Sequence, residues 1–278
     1  MPKVDLDALR AIPDDKQRFF TAREVFAQAR IDAGKEIAEI IKENGRGSLV
    51  KAANIACYDV GGFHRRLNNG GFVLPPRSLV KLAYNYLNES CNMLYFGSKG
   101  ITVLPRHESQ LLNILVQMDS GSKEDVLGTA VSMLEKDRED GTLAESLSDI
   151  EILRRRLAEL ASDKYVRPAD VIGENAVANI KSVIRKVTSD VAIEAPTIKA
   201  IMYIALELCT SIDYLIAPDY SQYTDLRFYN KPDSEVVTDT AALKIFSLYL
   251  RVSDESKARL AALAYHYAMA NGISVGIS

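Results

Sequence analysis

Residues 48–69, SLVKAANIACYDVGGFHRRLNN, decide how the rest of the chain is read. Ser48 is suited to capping a helix, and Leu49, Ala52, Ala53 and Ala56 then recur on one helical face. Side chains this small let a second helix cross closely. A turn is predicted around Cys57–Asp59. Beyond it Val60, Phe63 and Leu67 form one apolar stripe, leaving Arg65, Arg66, Asn68 and Asn69 for other partners. A small-faced helix, a tight turn and a polar, basic second helix make the pattern of a helix-turn-helix. Arginine and asparagine are side chains that pair with base edges in the major groove. The same residues also fit two ordinary surface helices of an α domain.

Charge favours the first reading locally, not globally. The whole chain of 278 residues carries a net charge of −3. From Lys42 to Lys81 the basic residues are Lys42, Arg46, Lys51, Arg65, Arg66, Arg77 and Lys81. They face only Glu43 and Asp59, a balance of +5 where phosphates would need it. The N-terminus, MPKVDLDALRAIPDDK, is charged and lacks the apolar core of a signal peptide. No apolar run approaches a membrane span. Cys57, Cys91 and Cys209 lie far apart, so neither a disulfide framework nor a metal cluster is expected, and the expected setting is the reducing cytoplasm.

Outward from this stretch the periodicity is helical. From Lys16 to Asn44, Phe20, Val25, Phe26 and Ala29 form one stripe and Ile37, Ile40 and Ile41 another, with Gly34 and Gly45 as punctuation. Pro75-Pro76 leads into a helix with Leu79, Leu82, Ala83, Tyr86 and Leu87 on one face. Ser90 then caps a short segment that Gly97 stops. A helical pair follows: HESQLLNILVQM, and SKEDVLGTAVSMLEKD with Ser122 as its cap. Residues 138–149 are polar and acidic and read as a linker. Residues 220–237 are the least helical and have room for one short strand.

The second half repeats the first. At a constant offset of 121, Pro75, Leu87, Ser90 and Leu94 match Pro196, Leu208, Ser211 and Leu215. Ahead of the second block lies another candidate helix-turn-helix, with helices predicted over Ala169–Gly173 and Asn179–Val187. There Asn179, Lys181, Ser182, Arg185 and Lys186 share a face while Ile180, Val183 and Ile184 turn inward. Its charge balance, from Arg167 to Lys199, is only +1. Behind the block, TAALKIFSLYL and SDESKARLAALAYHYAMANG parallel the earlier helical pair.

Residues 48–97 resemble the phage-repressor-like (XRE) helix-turn-helix family. Ser48–Ala56 matches its second helix, Val60–Asn68 its third, Pro76–Leu87 its fourth and Ser90–Phe96 its fifth. Residues 150–217 are similar to a second, more divergent copy. The chain departs from the family pattern at Gly61-Gly62, where the third helix should begin, so that helix is expected to start at Gly62 or Phe63. The resemblance implies an all-α protein of two tandem lambda-repressor-like five-helix units, each followed by a helical hairpin. The domains would be 16–137 and 150–273, joined by the linker 138–149. It implies a sequence-specific DNA-binding transcriptional regulator, with double-stranded DNA as partner and Arg65 and Arg66 as main contacts. Lys51, Tyr58, His64, Asn68 and Asn69 join them, and Asn179, Lys181, Ser182, Arg185 and Lys186 form a weaker second contact. The alternative is a protein-interaction or dimerisation scaffold built on a degenerate form of the fold.

Catalytic chemistry is not expected. His64, His107 and His266 share no ligand spacing with cysteines or carboxylates, so no metal or other cofactor is predicted. Gly45-Arg46-Gly47-Ser48-Leu49-Val50-Lys51 lacks the spacing of a phosphate-binding loop. Cys57 reads as a small buried cysteine at a turn, and Arg154-Arg155-Arg156 as a solvated helix face. The closing helix is apolar over a wide arc (Leu260, Ala261, Leu263, Ala264, Tyr267, Ala268) and should need partners on two sides. A homodimer through C-terminal helical surfaces is expected on that ground, the alternative being intramolecular packing of the two repeats.

Overall fold

The computed structural model describes residues 4–68, 72–164, 196–228 and 236–273, together with Arg185 and Val187. These residues are predominantly helical. In chain order the elements are α1 (Leu6–Arg10), α2 (Asp15–Glu43), α3 (Ser48–Ile55), α4 (Val60–Asn68), α5 (Pro76–Leu82), α6 (Cys91–Phe96) and β1 (Gly100–Val103). Then come α7 (Arg106–Gln117), α8 (Ser120–Glu139), α9 (Asp149–Lys164), α10 (Ile198–Glu207), α11 (Ile212–Ile216), β2 (Thr224–Arg227), α12 (Thr240–Arg251) and α13 (Asp254–Ala270). They gather into two compact units, and each unit draws on both halves of the chain. The first holds Met1–Gly100 and Asp149–Ala217, the second Ile101–Ser148 and Pro218–Ser278. The division expected at 138–149 follows the order of the chain, whereas these units pair early elements with late ones.

In the first unit α2 is the spine. Its buried face is Ala22, Phe26, Ala29, Ala33, Ile37 and Ile41, residues three or four apart as one helical stripe requires. The Phe26 ring lies 5.4 Å from Phe96 and 5.1 Å from Tyr203, so α2 touches both α6 and α10. Phe20, expected in this stripe, is exposed. Gly34 does not interrupt the helix. It is buried within it, where a Cβ would come within 3.2 Å of the Leu67 carbonyl oxygen and 3.3 Å of Phe72 Cβ. The glycine lets the chain beyond α4 cross α2 closely, and Phe72 N–H donates to the Arg30 carbonyl at 3.0 Å.

The repeat seen in sequence extends to single backbone angles. α5 runs through a π turn to Asn88, whose φ is 54°, and Ser90 then caps α6 by accepting from Met93 N–H at 2.8 Å. At 121 residues further on, Cys209 has φ 52° and Ser211 caps α11 by accepting from Tyr214 N–H at 3.0 Å. The short helices α6 and α11 meet through their first turns. Asp213 accepts from Cys91 N–H at 2.8 Å and Asn92 N–H at 2.9 Å, and Asn92 Oδ1 accepts from Ile212 N–H at 3.1 Å. Tyr84 O–H also donates to Asp213, at 2.9 Å.

The second unit packs α7, α8, α12 and α13 beside the sheet. β1 and β2 pair as two strands with every second residue buried. Asp119 caps α8 and Ser253 caps α13. Asp137 of α8 accepts from Ser253 N–H at 2.7 Å and from the hydroxyls of Ser253 and Ser256 at 3.1 Å. Asn271, at the end of α13, donates to Asp119 Oδ2 and Ser122 Oγ, both at 3.3 Å. α13 packs on α7, α8 and α12 and buries Leu260, Ala264 and Ala268. These helices cover the Leu260, Ala264 and Ala268 side of its wide apolar arc, while Ala261, Leu263 and Tyr267 are half-buried.

Several local expectations change. Ser48 is the first residue of α3, not its cap; left-handed Gly47 (φ 88°) holds that place, and the Ser48 hydroxyl pairs with Tyr86 O–H. α8 starts two residues before Ser122 because Asp119 outcompetes serine as cap, accepting from Ser122 N–H at 2.9 Å. The class is α with one small sheet: β2 falls in the weakly helical 220–237 stretch, while β1 buries polar Thr102 and exposes apolar Ile101, so its sequence does not mark a buried face. Within 138–149, Ala144 is buried in a 3₁₀ turn, and Glu145 pairs with Arg251 at 2.6 Å. Arg156 is buried rather than solvated, 4.9 Å from the Tyr214 ring and paired with Glu159 at 2.9 Å.

Candidate nucleic-acid interface

α3 and α4 are joined by a turn whose geometry comes from three successive residues. Cys57 takes φ 54°, a left-handed conformation that reverses the chain, and Tyr58 N–H donates to the Ala53 carbonyl at 2.9 Å. Asp59 caps α4, accepting from Gly62 N–H at 2.6 Å. A Cβ on Gly62 would lie 2.4 Å from Asp59 Oδ2, so the glycine makes room for the capping carboxylate. This is why α4 begins at Val60 and not at Gly62 or Phe63: the cap and the missing side chain offset the helix penalty of two glycines. On the inner face Phe63 and Leu67 are buried, and Phe63 meets Phe72 edge-on at 6.2 Å. On the inner face of α3 lie Ala52 and Ala53, fully buried as the close crossing requires.

The outer face of α4 carries the predicted contacts, and they are not equivalent. His64, Arg65, Arg66 and Asn68 are all exposed. Arg66 is held: its guanidinium lies 5.1 Å from the Tyr58 ring centroid and donates to the Val73 carbonyl at 2.7 Å. Asn68 turns its amide back, donating to the His64 carbonyl at 3.0 Å and standing 3.2 Å from His64 Nε2. Arg65 stands out from this network, as does Lys51 on α3. Lys42, Arg46 and Arg77 are also exposed. Lys81 is half-buried, its ammonium donating to Cys57 Sγ at 3.1 Å; Cys57 itself is exposed, so it is not the buried turn cysteine expected.

Asn69 and, in the second motif, Asn179, Lys181, Ser182 and Lys186 lie outside the described residues, as do the helices predicted there. Arg185 is exposed. The sequence reading missed the roles of Asp59 and Gly62, although an Asp three residues ahead of a glycine at a helix start is a legible capping signal. It had no means of finding the Arg66–Val73 bond, which closes across an irregular segment. No helix among the described residues is long and apolar enough to cross a membrane.

No family model, curated protein or solved structure matches this chain.

Proposed function

We propose that this chain is a sequence-specific DNA-binding regulator of the repressor-like helix-turn-helix type, acting on double-stranded DNA in the cytoplasm. The observation that carries the reading is the exposed face of α4: a small-faced α3 with Lys51 exposed on it, a tight capped turn, and a second helix on which Arg65 is exposed. In this reading Arg65 contacts a base edge. Arg66, braced on Tyr58, is a positioning residue that holds α4 and adds positive potential. Lys51, Arg46 and Lys42 meet phosphates.

Titrating labelled duplexes drawn from a random pool, at two salt concentrations, tests it. Genuine phosphate contacts give an affinity that falls steeply with salt. Arg65→Ala should cost about 1–3 kcal/mol and relax preference at one base pair. Wild-type affinity in that variant removes α4 from the interface. A second reading, a protein-interaction scaffold, draws on the bonds that occupy Arg66, His64 and Asn68; it predicts no salt-dependent duplex binding at all.

A further inference from the structure

Both compact units contain a contact that maps onto itself when early and late residues are exchanged. In the first, the backbone of Cys91 and Asn92 donates to Asp213, and the backbone of Ile212 donates to Asn92. Residues 91 and 212, and 92 and 213, are related by the same offset of 121 as the caps Ser90 and Ser211. In the second, Asp137 reaches the cap and third residue of α13, Ser253 and Ser256, while Asn271 reaches the cap and third residue of α8, Asp119 and Ser122. Here 119 and 253, 122 and 256, and 137 and 271 are each separated by 134. Residue i meets j while the equivalent of i meets the equivalent of j. That reciprocity is the mark of a two-fold, isologous interface.

We propose that the chain is a dimer folded into one polypeptide: its two repeats bind each other through surfaces that two separate subunits would otherwise share. The two-fold positions are occupied unequally, which two identical subunits could not achieve. Asn92 meets its own equivalent, Asp213, whereas Asp137 reaches Ser253 and its equivalent, Asn271, reaches Asp119. A homodimer of the second repeat would set Asp against Asp at the first contact, and one of the first repeat would set Asp137 against Asp119 at the second. One carboxylate in each contact avoids both. Leu260, Ala264 and Ala268 of the α13 arc are already buried in a helix that packs on α7, α8 and α12. On the DNA-binding reading, one chain occupies one duplex, because the pairing that two subunits would supply is already made within it.

Sedimentation equilibrium of the full chain at micromolar to hundred-micromolar concentration tests the pairing first. A mass near the 30.7 kDa of one chain is expected, and a stable species of twice that mass overturns the proposal. A duplex selected from a random pool is then bound, and the chain-to-duplex ratio is read. One chain per duplex is expected. Two chains per duplex overturns it. A chain that retains no duplex at low salt defeats the DNA reading, while the mass of the free chain still decides the pairing.

Discussion

The two reciprocal contacts use the same pair of residue types in opposite surroundings. Asp213 is fully buried, and burial pushes its carboxyl above the usual carboxylate range, even against hydrogen bonds from Asn92, Cys91 and Tyr84. Asp137 also loses water, but bonds from Ser253, Ser256 and Thr142 together outweigh that loss and hold its carboxyl below the usual range. Cys91, buried beside Asp213, has its thiol pushed well up by the same desolvation and by the adjacent carboxylate. A carboxylate at a helix start is favourable in both places, because it meets unpaired N–H groups and the positive end of the helix. What differs is whether those donors make up for the water removed.

The same substitution at the two asparagines separates burial from symmetry. Asn92→Asp places a second carboxyl against buried Asp213 and should cost about 3–5 kcal/mol, the scale of an uncompensated buried charge. Asn271→Asp puts a carboxylate beside exposed Asp119, where Asn271 now donates at 3.3 Å. Water and salt screen that pair, so the loss should stay within about 1 kcal/mol and shrink at high ionic strength. Urea unfolding at two salt concentrations measures both. Equal losses would mean that burial is not what distinguishes the contacts.

Next in size is the pH dependence of the two aspartates, which should run in opposite directions. Asp137 has a depressed folded pKa, so its contribution is present above the unfolded carboxylate value of about 3.9 and is lost as pH falls through the folded value. Asp137→Asn should therefore cost about 2 kcal/mol at neutral pH, with the gap to wild type closing in acid. Asp213 has a raised folded pKa, so its ionised form burdens the native state and the burden lifts as pH falls. Relative to wild type, Asp213→Asn should gain stability as pH rises. Unfolding curves from pH 3 to 8 would show two gaps of opposite slope, and parallel slopes would break the distinction.

The helices and their local stops were legible because they depend on near neighbours. Ser90, Gly97 and Pro76 act where the sequence placed them, and the buried faces of α5 and α7 follow the apolar spacing. Gly34 was misread because its reason lies in Leu67 and Phe72, brought to it by tertiary packing. The repeat was visible at Ser90 and Ser211. The polar exchange it creates was not, because Asn92 and Asp213 look like ordinary first-turn residues until the helices meet. Within the candidate site, exposure of Arg65 followed from the stripe formed by Phe63 and Leu67, and that of Lys51 from the small face formed by Ala52 and Ala53. The distinction between Arg65 and Arg66 needed the position of Tyr58 and of the segment carrying Val73.

The smallest predicted effects contrast two helix glycines, one from each unit. Gly128 lies on the exposed face of α8 with open space where a Cβ would be. Alanine there relieves the helix of a flexible residue, so Gly128→Ala should stabilise by up to about 1 kcal/mol. Gly62 sits in the first turn of α4, and the same change gains the same propensity. Its Cβ, however, would lie 2.4 Å from Asp59 Oδ2, so the carboxylate must leave Gly62 N–H. Loss of a cap costs about 1 kcal/mol, enough to cancel the gain and turn the net change to a slight loss. The two variants should thus differ in sign in thermal unfolding although the chemistry is identical. Asp59→Ala supplies the check: in that background the clash and the cap are both gone, and Gly62→Ala should become stabilising like Gly128→Ala. If Gly62→Ala remains destabilising without Asp59, the start of α4 is held by something other than this cap.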